Sequence, residues 1–187
     1  MRVAILGAGS WGTAFAQIAA DAGNEVSIWG RSPKTVEEIN TDHHNFKFHP
    51  DNMLPKSITA STDAQKILKD ADVVVLAIPA QTLRQNLSDW GSSIPRAAFI
   101  LSLLKGIEVG SLERMSQVAT EVLGIDAQRV SVLTGPNLAG EIIRREPAAS
   151  VIACSNETNA HHLQDMCATP YFRPYTSTDV IGCELAG

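Results

Sequence analysis

The chain has 187 residues, 44% of them hydrophobic and 19% charged, with a formal net charge of −5. That is ordinary globular composition, enough for one substantial core, and it is too acidic for a sequence-independent grip on nucleic acid, which needs a basic surface to neutralise phosphates. Cys154, Cys167 and Cys183 lie far apart without a CxxC pair, so they read as buried thiols and exclude both a disulfide framework and a zinc knuckle.

The first predicted element is a strand over residues 3–6, from the apolar run Val3, Ala4, Ile5, Leu6. This run is too short for the core of a signal peptide, and no stretch is long enough to cross a bilayer, so the chain reads as cytoplasmic with no membrane insertion. It breaks into Gly7-Ala8-Gly9-Ser10-Trp11-Gly12, and a helical pattern of small residues follows through Ala20. A strand, a GxGxxG turn and a helix in that order form a phosphate-binding unit. Gly7 takes the tight turn, Gly9 lets a pyrophosphate approach bare backbone, and Gly12 lets the helix lie close on the sheet. The helix start then offers unpaired N–H groups and a positive dipole end to the phosphates.

Residues 25–29 predict a second strand, which completes a βαβ unit. Where such strands usually end in the Asp or Glu that bonds the ribose of NAD, this one ends Gly30-Arg31-Ser32. The planar donors of Arg31 suit a 2′-phosphate, so the cofactor is NADP or NAD with NADP favoured.

Further along, a short helix is expected over 35–41, a polar loop over 43–56, a short strand over 58–60 and a helix capped by Asp63 through residue 69. The continuous β-branched run over 73–78 has the character of a parallel strand covered on both faces, and runs over 98–101, 130–133 and 149–153 repeat the theme. Helical patterns over 81–87, 111–123 and 157–167 separate them. This alternation predicts an α/β fold, a Rossmann-like doubly wound, mostly parallel sheet with helices on both faces. Ligands of such sheets sit beyond the carboxyl ends of the strands, which singles out the loops at 79–81, 104–108 and 134–139. Asp70 and Asp72 precede their strand and fall at the wrong end. Neither His43, His44 and His49 nor the adjacent pair His161 and His162 has the convergence a metal needs, so no metal is expected. Trp90 and Tyr171 read as packing residues.

Gly7-Ala8-Gly9-Ser10-Trp11-Gly12-Thr13-Ala14, Leu104-Lys105-Gly106-Ile107-Glu108, Gly135-Pro136-Asn137-Leu138-Ala139-Gly140-Glu141 and the terminal stretch from Asp179 to Gly187 together resemble bacterial NAD(P)-dependent glycerol-3-phosphate dehydrogenases. The resemblance implies interconversion of sn-glycerol 3-phosphate and dihydroxyacetone phosphate by hydride transfer, for glycerophospholipid synthesis. It implies cofactor contacts at Ser10, Trp11, Arg31, Phe48, Lys105 and Ala139, and substrate contacts at Lys105, Gly135 and Asn137. Position 137 departs from the Ser or Thr of the family motif. The resemblance also implies a dinucleotide-binding domain over 1–180, with 181–187 opening a helix toward a substrate-binding helical domain. In the family, that second domain carries the proton-transferring lysine, beyond Gly187, so these residues alone are expected to bind cofactor with little or no turnover. A homodimer of the longer enzyme stays open, as do two other readings: a dinucleotide-binding redox sensor and another hydroxyacid dehydrogenase.

Overall fold

The computed structural model describes residues 1–187. The strand β1 (Arg2–Leu6) leads through the glycine turn into α1 (Ser10–Asp21), β2 (Glu25–Trp29) and α2 (Pro33–Thr41). Next come β3 (His44–Asn45), β4 (His49–Met53), β5 (Thr59–Ser61), α3 (Ala64–Leu68), β6 (Val73–Leu76), α4 (Leu83–Trp90), β7 (Phe99–Ser102) and α5 (Met115–Leu123). The remaining elements are β8 (Val130–Thr134), α6 (Ala139–Ile143), β9 (Ala148–Ala153), α7 (Glu157–Cys167), β10 (Phe172–Ser177) and α8 (Val180–Ala186).

Eight strands form one sheet in the order β10-β9-β8-β7-β6-β1-β2-β5. The strands from β8 through β5 run parallel. Because side chains alternate across a strand, Val3, Ile5, Val73 and Val75 enter the core on one face, while Ala4, Leu6, Val74 and Leu76 enter the core on the other. All eight are essentially inaccessible, which is why these strands read as unbroken apolar runs and not as alternating ones.

Four features differ from the sequence reading. The strand β9 pairs antiparallel with β8, and β10 runs parallel to β9, so this ribbon opposes the other six strands. The intervening α6 has five residues, about 7 Å of helix, too short to carry the chain back to the amino edge before it pairs again. The unexpected β10 holds Pro174, which an edge strand tolerates because its outer N–H positions need no partner. The loop expected over 43–56 contains a two-stranded antiparallel hairpin of β3 and β4. Finally, α5 begins at Met115, not at residue 111: Leu112 adopts φ 61° and Ile107 bridges Arg114, which uses up the preceding residues.

Candidate dinucleotide site

The glycines of the first turn are sterically required at two of their three positions. Gly7 sits at φ +136°, where a Cβ would run into the Ala77 carbonyl, and a Cβ on Gly12 would run into the Gly7 carbonyl. At Gly9 a Cβ meets nothing within 4 Å, so this position faces open space. The helix α1 starts from Gly9 with no side-chain cap, and its first intrahelical bond is that of Thr13 N to Gly9 O, 2.9 Å. The amides of the first turn are therefore free for an anion.

The β3–β4 hairpin buttresses this turn. Buried Asn45 donates Nδ2 to the Ala8 carbonyl at 3.1 Å and to Thr13 Oγ1 at 2.9 Å. Buried His49 places Nε2 2.9 Å from the Ser10 carbonyl. A carbonyl only accepts, so Nε2 carries the hydrogen in that bond.

Beyond the carboxyl ends of β1, β2 and β6 lies a cavity of about 240 Å³ whose walls include Gly7, Gly9, Arg31, Ser32, Lys47 and Phe48. No carboxylate lines it. Phe48 is 40% exposed and stands at this cavity, not over the core, with Lys47 Nζ 5.2 Å from its ring centroid. Ser10, Trp11 and Gly12 follow Gly9 at the start of α1, outside the walls of this cavity, and Trp11 packs edge-on against Phe15 at 6.0 Å.

A second cavity, about 580 Å³, brings together Lys105, Thr134, Gly135, Asp179, Cys183 and Gly187. Gly135 has φ +148°, and a Cβ there would press at 3.2 Å on the Ala149 carbonyl. Asn137 lies outside the walls of this cavity: its Oδ1 accepts from Ser150 Oγ at 2.7 Å. Ala139 opens α6 and packs on the core. Thr134 Oγ1 is buried without a partner.

Lys105 is exposed, and the loop that carries it is pinned from the neighbouring crossover. Gln81 donates Nε2 to the Ile107 carbonyl at 2.8 Å and accepts from Val109 N at 2.9 Å. Arg84 grips Glu108 with bonds of 2.9–3.1 Å and also reaches Glu113 and Glu121. The hydrogen bonds from Arg84 and then from Ser111 hold the Glu108 carboxyl below its usual range. Glu121 is lowered chiefly by its bond from Arg84, and the guanidinium is raised in return, first by Glu108 and then by Glu121. Sequence reasoning located this loop but missed the clamp, since Gln81 and Arg84 have no periodic signature. It also missed Asn45, His49 and Lys47, because buried polar pairs and turn cations leave no mark on hydrophobic spacing.

The thiols differ in burial: Cys154 and Cys167 are buried, as expected, whereas Cys183 is half-buried at the second cavity. Burial pushes Cys167 up to about 12. Asp72 accepts from Arg2 N at 2.8 Å, at the amino edge of the sheet and away from both cavities. Trp90 packs on Trp29 at 4.6 Å, and Tyr171 donates to Asp21 at 2.8 Å. His44 Nδ1 lies 2.8 Å from the Asp42 carbonyl, and His161 Nδ1 lies 3.1 Å from Gln164 Oε1. No helix is long and apolar enough to cross a membrane.

Residues 2–160 match the family described as the N-terminus of NAD-dependent glycerol-3-phosphate dehydrogenase. The NAD(P)+ glycerol-3-phosphate dehydrogenases of Corynebacterium diphtheriae and Thermobifida fusca are each 52% identical over the whole chain. The chain spans 56% of the length of each. The crystal structure of glycerol-3-phosphate dehydrogenase from Coxiella burnetii superposes with a TM-score of 0.89 at 29% identity, covering 97% of this chain and 55% of that one.

Proposed function

The chain belongs to the NAD-dependent glycerol-3-phosphate dehydrogenase family, and from that premise we propose that these residues are the cofactor-binding part of an enzyme interconverting sn-glycerol 3-phosphate and dihydroxyacetone phosphate, a reaction that feeds glycerophospholipid synthesis. One observation carries the proposal: the uncapped start of α1, with Gly9 open beside it, adjoins a cavity whose only charged walls are cations. That combination fits a dinucleotide, with the first-turn amides on the pyrophosphate and Arg31 toward a 2′-phosphate. NADP is thereby favoured over NAD.

When bound, the nicotinamide supplies the hydride that reduces the carbonyl. Lys105 and Gly135 share the neighbouring cavity. The Lys105 ammonium binds the anionic substrate there and offsets the negative charge that grows on its carbonyl oxygen. Asn137 lies outside the walls of that cavity but beside Gly135, and with Oδ1 held by Ser150 it has Nδ2 left to donate to substrate. Ser10, Trp11, Phe48 and Ala139 complete the cofactor contacts. We place the enzyme in the cytoplasm, as a homodimer when full-length, with a small phosphorylated substrate as its partner.

Calorimetric titration of the 187-residue chain with NADPH and NADH tests the core of this reading. Binding of at least one with millimolar or better affinity is expected, and folded protein that binds neither would overturn it.

A further inference from the structure

We propose that Lys47 is the second cation of a two-armed clamp, with Arg31, on the 2′-phosphate of an NADP-type dinucleotide, and so a determinant of cofactor choice. The inference rests on the reading of the first cavity as the adenosine end of the cofactor site.

Two formal charges line that cavity, and both are positive. Neither Arg31 nor Lys47 has a carboxylate within 4.0 Å, so neither charge is offset by a neighbour. Ser32 and Thr35, at the first turn of the nine-residue α2, add hydroxyls and the positive end of a helix to the same walls. Magnitude selects the ligand. A phosphate monoester carries about −1.5 to −2 charges near neutral pH, whereas each phosphate of a pyrophosphate bridge carries about −1 and a free ribose hydroxyl carries none. Two unpaired cations match the monoester, and the first-turn amides of α1 are already placed for the bridge.

Lys47 is not adrift on a loose loop. It lies in the turn between β3 and β4, which Phe48 N closes on the Asn45 carbonyl at 3.1 Å. Asn45 and His49 on either side are buried and bonded to Ala8, Thr13 and Ser10. The lysine backbone is thus tied to the glycine turn itself. Its ammonium rests beside the Phe48 ring, which restricts the side chain without neutralising it. Arg31 brings a planar fork, and Lys47 brings a compact point charge free to meet a third phosphate oxygen.

The test is fluorescence titration of NADPH and NADH on the 187-residue chain, with 2′-AMP and 5′-AMP as competing probes. Wild type is expected to favour NADPH. Lys47→Met should weaken NADPH and 2′-AMP about tenfold, and leave NADH and 5′-AMP within about twofold. Lys47→Arg should restore most of the preference. If Lys47→Met weakens all four probes alike, the lysine serves the bridge or the fold and the inference fails. If Arg31→Met abolishes the NADPH preference while Lys47→Met leaves it intact, the inference fails and the NADP reading stands. Equal binding of NADPH and NADH by wild type would overturn both.

Discussion

His49 Nε2 donates to the Ser10 carbonyl at 2.9 Å, joining β4 to the first residue of α1. The contact ties the strand that follows Lys47 and Phe48, two walls of the first cavity, to the helix whose first-turn amides are uncapped. Replacing His49 by Ala leaves that carbonyl with one partner fewer in a nearly closed site, and we expect a loss of about 1–2 kcal/mol in stability. Cofactor affinity should fall several-fold as well, for both NADH and NADPH. Chemical denaturation and titration check the pair, and a variant of wild-type stability and affinity would show the contact to be idle.

The Arg84 cluster gives a pH signature. Glu108 and Glu121 titrate below their ordinary value in the folded chain because Arg84 donates to them. A depressed carboxyl contributes stability that is present above its unfolded value of 4.5 and lost as pH falls below it through the folded value. Arg84→Met should therefore lower the melting temperature more at pH 7 than at pH 3. A deficit of equal size at the two pH values would contradict this.

Glu184 seats α8 on the start of α5. It accepts from Ser116 N at 2.8 Å, from Ser116 Oγ at 2.6 Å and from Arg114 Nη1 at 2.7 Å, with its side chain 2% exposed. Glu184→Ala leaves a nearly buried guanidinium uncompensated, which costs about 3 kcal/mol or roughly 10 °C of melting temperature at this chain length. Because Cys183 and Gly187 of the same segment line the Lys105 cavity, hydrogen exchange over residues 180–186 should speed up too. Unchanged exchange there would mean that other contacts seat the helix.

Cys167 offers a reactivity test. Its thiol is pushed up to about 12 by burial alone, whereas Cys183 is half-buried at a cavity mouth. A group raised this way keeps its stabilising share below the ordinary thiol value of 9.0 and loses it as pH rises toward 12. At pH 8, a thiol reagent should modify Cys183 in the folded chain and Cys167 only after denaturant is added. Modification of Cys167 at the rate of Cys183 would refute the burial argument.

What could be read from the sequence follows from which forces leave a periodic trace. The strands β1, β6, β7 and β8 were legible because burial on both faces demands apolar runs such as Val73-Val74-Val75-Leu76, and β2 because its buried Val26 and Ile28 alternate with less buried neighbours. Gly7 and Gly12 were legible because their role is steric. The hairpin was not, since its buried residues are Asn45 and His49, polar groups whose partners are carbonyls far along the chain. Nor was β10, where Pro174 disguises an edge strand. Lys47, and the bonds by which Gln81 pins the neighbouring loop, escaped for a related reason: each acts through a tertiary neighbour that no local spacing announces.

The glycine turn separates fold from ligand most sharply. Gly9 has φ −79° and ψ −179°, extended backbone that alanine adopts readily, and its Cβ position is open. Gly9→Ala should fold with wild-type stability, within about 0.5 kcal/mol. The added methyl nonetheless occupies the space through which a pyrophosphate would meet the first-turn amides, so affinity for NADH and NADPH should fall at least tenfold. Gly12→Ala inverts this outcome. Its methyl meets the Gly7 carbonyl inside the turn, an overpacking that costs about 1–3 kcal/mol before any ligand is added. Thermal melts of both variants without cofactor, followed by titration, distinguish the two roles. Should Gly9→Ala bind dinucleotide as wild type does, the open space at Gly9 is not where the phosphates lie.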